Sequence, residues 1–92
     1  LVEPYQFKQQ KVHHFDLYRL GHPEELEYLG IRDYFDGCAI NLVEWPDKGK
    51  GFLPTADVVL TIHPLERGRK LTFVAQTNMG DGVLVHLGKV QQ

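Results

Sequence analysis

Two apolar runs in this chain each end on a single carboxylate, and that repetition limits the fold more than any other feature. The first is His14-Phe15-Asp16-Leu17-Tyr18-Arg19-Leu20, with a helix start close behind it at Pro23-Glu24-Glu25-Leu26. The second is Asn41-Leu42-Val43-Glu44-Trp45-Pro46. Strands alternating with helices build α/β sheets. Asp16 and Glu44 are therefore expected at one edge of a sheet, where together they would make a site. A lone acid at such a strand end is where nucleotide-binding α/β proteins keep a magnesium-associated carboxylate. The phosphate-cradling pattern G-x-x-x-x-G-K-[ST] does not occur in these 92 residues.

Length and charge narrow the class. The 92 residues are expected to form one domain, 1–92, and a chain of this size buries only about two-thirds of its unfolded surface. An apolar share of 42% marks a globular chain rather than a disordered one. Ten basic against twelve acidic residues leave a net charge of −2, which gives no strong nucleic-acid footprint. Lys48, Lys50, Arg67, Arg69 and Lys70 read either as a weak RNA-facing patch or, more simply, as solubilising charge. The single cysteine, Cys38, excludes an internal disulfide and fits a reducing compartment. No apolar run approaches the ~20 residues of a membrane span. The chain opens on Leu1 rather than Met and reads as a piece of something longer.

Along the chain, Leu1–Phe7 and Val12–Arg19 read as a hairpin across the polar turn Lys8-Gln9-Gln10-Lys11. On the second strand Val12, His14, Asp16 and Tyr18 share one face, and His13, Phe15, Leu17 and Arg19 the other. Pro23 suits the first position of a short helix, with Glu24 and Glu25 in its first turn, Leu26 and Leu29 on one face and Gly30 as the stop. A second helical turn is expected at 31–35. Cys38 to Trp45 is nearly continuous in apolar residues, as a buried strand would be. Ala56–His63 and Arg69–Thr77 read as strands joined through Pro64–Gly68. Over Val83–Leu87 periodicity does not separate helix from strand.

Each singled-out residue carries a plain reading beside the functional one. Asp16 at a strand end is a metal-associated acid or a solvated, helix-capping one. Glu44-Trp45-Pro46 is a site or simply a strand terminus, with Trp45 in the core. His13 and His14 point to opposite faces of a strand and do not easily share a zinc ion, so packing or hydrogen bonding explains them better. Tyr18 and Arg19 read as a protein contact, or as structural residues with Arg19 pairing to Glu24 or Glu25. Cys38 reads as a small apolar residue rather than a nucleophile.

Taken in order, the blocks His14–Leu20, Pro23–Glu27, Gly30–Phe35 and Leu42–Trp45 resemble the bacterial TsaE (YjeE) family, over Leu1 to about Thr77. These are P-loop ATPases of tRNA threonylcarbamoyladenosine biosynthesis. The resemblance implies an α/β, P-loop NTPase-like mixed sheet with short helices, of which this chain is the C-terminal part. It implies ATP and Mg2+ as cofactors. Asp16 would take the Walker-B-like place at magnesium, Glu44 would orient or activate the attacking water, and Trp45 would pack near the nucleotide. Leu1-Val2-Glu3 would continue from the family's switch-like S-P-T-Y-T segment. The implied partners are the TsaB and TsaD proteins, with tRNA met only through their complex, no membrane, and a cytoplasmic location.

The family's phosphate-binding loop lies upstream of Leu1, so this segment alone is expected to be inactive. Magnesium is usually held by one or two carboxylates plus substrate phosphates, and Asp16 alone does not replace those contacts. The competing expectation is a non-catalytic interaction fragment that keeps a partner-binding surface. A third is a small metal-binding domain using His13, His14 or Asp16. A sheet lacking its phosphate-loop strand is also expected to self-associate or to pair with the missing segment.

Overall fold

The computed structural model describes residues 1–90. Two compact units divide the chain, Leu1–Pro54 and Thr55–Gln92.

The first unit is built on a three-stranded sheet of order β1-β2-β3, comprising β1 (Val2–Phe7), β2 (Gln10–Asp16) and β3 (Ile40–Glu44). The hairpin expectation holds. β1 pairs antiparallel with β2, from Val2 opposite Phe15 to Phe7 opposite Gln10. The turn is tighter than the polar run suggested, because Lys8 adopts a left-handed conformation (φ 57°) and pairing resumes at Gln10. β3 lies parallel to β2, from Val12 beside Ile40 to Asp16 beside Glu44. Parallel neighbours require a long crossover, and here it carries α1 (Glu25–Tyr28) and α2 (Ile31–Tyr34).

α1 is shorter than Pro23 promised. The turns before it close by i→i−3 bonds, Leu26 N–H to the Pro23 carbonyl and Glu27 N–H to that of Glu24, both 3.0 Å, so the entry is too tight for an α-helix. Gly30 ends it at φ 68° and opens α2 directly. Leu26 is fully buried, but Leu29, expected on the same face, is exposed.

The core lies on one face of this sheet. Phe15, Leu17, Leu20, Leu26 and Ile31 are buried together. The Phe15 ring meets Tyr34 edge-on at 5.3 Å between centroids and stacks on Phe35 at 5.9 Å, geometries that aromatic quadrupoles favour. The opposite face is open. There β3 departs from the buried strand expected of its apolar run: Ile40 and Leu42 are exposed while Asn41 and Val43 are half-buried. β3 is the last strand of its sheet, and the crossover covers only the Phe15 side. Cys38 is likewise exposed and precedes the strand, its N–H donated to Asp36 Oδ1 at 2.8 Å in a turn.

The second unit is an antiparallel pair, β4 (Val58–Pro64) and β5 (Arg69–Ala75), followed by α3 (Asn78–Val90). Gly68, at φ 94°, closes the connection through the Leu65 N–H to Gly68 carbonyl bond. The undecided 83–87 run is helical because Thr77 caps the segment that contains it. Its Oγ1 accepts the Gly80 N–H at 3.0 Å and donates to Asp57 Oδ1 at 2.6 Å. Gly80 is required by space: a Cβ there would lie 1.9 Å from the Asp57 carbonyl oxygen.

Candidate functional site

The parallel register of β2 and β3 brings the two acids together. Asp16 and Glu44 are direct neighbours at the carboxyl ends of adjacent strands, which lie about 4.8 Å apart. Residues side by side in a ladder share a face. Asp16, Glu44 and His14 (two residues back from Asp16 along β2) therefore stand on the open face, away from the Phe15 core. The Leu17 N–H continues the ladder to the Glu44 carbonyl at 3.1 Å and fixes the strand ends where the acids sit.

Each acid has a defined partner. Asp16 is exposed, and its Oδ1 accepts the Tyr18 N–H at 3.1 Å, a short loop that orients the carboxylate as the chain leaves β2. Glu44 Oε1 accepts from the His14 ring at Nε2, 2.6 Å away. On the other side of His14, across β1, Glu3 is bound to Tyr5, whose hydroxyl donates to Glu3 Oε2 at 2.7 Å. That hydrogen bond, and secondarily the Glu3 charge, raise the Tyr5 pKa and keep the phenol protonated. Glu3, Tyr5, His14, Asp16, Tyr18 and Arg19 line a shallow depression of about 370 Å³.

Trp45 follows Glu44 in a left-handed conformation, φ 58° and ψ 52°, and leads into a single 3-10 turn at Pro46–Gly49. Its ring lies 5.1 Å from that of Tyr18 at 53°, and it is 54% exposed. The reading of Trp45 as a core residue is therefore overturned. The left-handed turn swings the indole out of the strand and onto the rim, beside Tyr18. Arg19 makes no ion pair with Glu24 or Glu25 among the described residues.

The donor set suits a hard cation shared with a ligand's oxygens and not a protein-caged metal. Asp16 and Glu44 are neighbours in the ladder but bond different groups, and among the described residues no three His, Cys, Asp or Glu side chains cluster to hold an ion. His13 bonds Asn41 Oδ1 at 2.9 Å while His14 turns to Glu44, so the two histidines do diverge. The His14–Glu44 contact was not legible in the sequence. The H-x-D spacing puts His14 on the Asp16 face, but only the pairing with β3 identifies what it meets.

A mixed sheet flanked by short helices, with one acid at the end of each of two adjacent parallel strands, defines an α/β, P-loop-like fragment. Residues 1–71 match the family described as threonylcarbamoyl adenosine biosynthesis protein TsaE. The chain belongs to the TsaE family. It is 48% identical over 84 residues to the tRNA threonylcarbamoyladenosine biosynthesis protein TsaE of Haemophilus influenzae, covering 91% of this chain and 53% of that protein. Its counterparts in Rickettsia bellii and Rickettsia felis are 32% and 29% identical, over 77% and 92% of this chain and 49% and 48% of theirs. The chain thus spans about half the length of the curated relatives it matches. No helix among the described residues is long and apolar enough to cross a membrane.

Proposed function

We propose that the protein containing this chain is the ATPase of bacterial tRNA threonylcarbamoyladenosine biosynthesis, working in the cytoplasm with TsaB and TsaD and meeting tRNA only through their complex. The observation that carries this reading is the Asp16–Glu44 register. Asp16, anchored through Oδ1, takes the cation side of the site, directly or through water. Glu44 orients the attacking water or accepts its proton, and Trp45 borders the nucleotide. Magnesium, when bound with ATP, neutralises charge on the phosphates. The phosphate-binding loop is supplied from the part of the protein upstream of Leu1.

Calorimetric titration tests this division of labour. ATP with magnesium is expected to give no heat with the 92-residue chain alone. Binding is expected once the upstream segment is added, and is expected to vanish in Asp16→Ala. Tight binding by the chain alone would overturn the proposed split and require another phosphate site.

A second reading, a non-catalytic interaction fragment, draws on the open face of the first unit, where Tyr5 on β1 and Ile40 and Leu42 on β3 are exposed. Unpaired strand edges beside apolar surface favour association. Analytical ultracentrifugation of the isolated chain is expected to show self-association that the upstream segment reverses. A compact, stable monomer would remove this expectation.

A further inference from the structure

Among the described residues, the hydrogen-bond partner of the Glu44 side chain is His14, Nε2 to Oε1 at 2.6 Å. A carboxylate can only accept, so Nε2 carries the hydrogen and donates it. The contact runs diagonally across the open face: His14 is beside Leu42 in the ladder, and its ring reaches one step along β3 to Glu44. Glu3, the acid directly opposite His14 on β1, does not compete, since it holds the Tyr5 hydroxyl. The pair is 32% and 59% exposed, and such surface pairs add little to stability. Its consequence is geometric. Left to itself, a glutamate at a strand end samples several rotamers, whereas one held by a single oxygen keeps the other oxygen in a fixed place.

We infer that His14 is a positioning residue for Glu44. It tethers Oε1 and leaves Oε2 to meet the reacting water. This role rests on the proposed hydrolysis, and the tests separate the two. In the full-length protein, His14→Ala is expected to lower kcat about tenfold, as loss of orientation does, with KM for ATP within twofold. His14→Gln, which restores a neutral donor, is expected to recover most of that loss. His14→Ala is expected to cost nothing further in a Glu44→Ala background, because residues acting as one unit are not additive. A readout free of catalysis accompanies these: the His14 Nε2 resonance is expected to move in Glu44→Ala at constant pH.

An unmoved resonance overturns the pairing. Slow turnover in Glu44→Ala with normal turnover in His14→Ala overturns the positioning role alone. Equal losses in His14→Gln and His14→Ala overturn the donor role. Normal turnover in Glu44→Ala overturns the proposed function, and the positioning role falls with it.

Discussion

Glu44→Ala in the full-length protein is expected to lower ATP turnover by about 10²- to 10⁴-fold, the range for loss of a positioned acid–base group. The affinity for magnesium–ATP is expected to stay within a few-fold. This asymmetry follows from where the two acids sit. Asp16 is oriented by the backbone of its own exit loop, through the Tyr18 N–H, and in the proposed function stands on the cation side. Glu44 is oriented by a side chain on the neighbouring strand, and its side chain is 59% exposed, which leaves it open to the water that the proposed hydrolysis requires. Single-turnover phosphate release, measured beside equilibrium nucleotide binding, separates the effects. A parallel loss of both in Glu44→Ala would place Glu44 among the binding groups and remove it from the chemistry.

Phe15→Ala is expected to unfold the first unit. Phe15 is 1% exposed, contacts Tyr34 and Phe35 through its ring, and belongs to a core of five buried hydrophobic residues among those described. Truncating a buried Phe removes about 3–5 kcal/mol, a large share of the roughly 5–15 kcal/mol that holds a small domain together. Leu42→Ala, one strand away on the open face and 53% exposed, is the matched control. It is expected to shift stability by no more than about 0.5 kcal/mol. Amide dispersion from β1, β2 and β3, followed through a urea titration, reads both. Equal losses in the two variants would mean that Leu42 is covered in solution.

The hairpin of the first unit, the acids at the ends of β2 and β3, Gly30 as a helix stop and the paired strands of the second unit were legible because each rests on local chemistry. Alternation, a left-handed glycine and a polar turn act within a few residues. What was not legible depends on pairing and coverage. The apolar run into β3 reads as doubly buried, yet burial depends on what lies on each face, and only the Phe15 side is covered. Trp45 looks like core until its left-handed backbone turns it outward. Leu29 misses the core because its helix is one turn long and enters through tighter bonds. The His14–Glu44 contact spans thirty positions of chain and exists only through the parallel register.

That register makes parity the safeguard of the site. Successive residues of a strand face opposite ways, so one residue inserted within β2 ahead of His14 or removed there would turn Asp16 and His14 under the crossover and bring Phe15 out to water. The crossover carries Leu17, Leu20, Leu26 and Ile31 of the core, so only its exposed turn at Asp36–Cys38 escapes such a rule, since lengthening a surface loop changes closure entropy only slowly. Drift in length is thus tolerable at that turn and forbidden inside seven residues of strand.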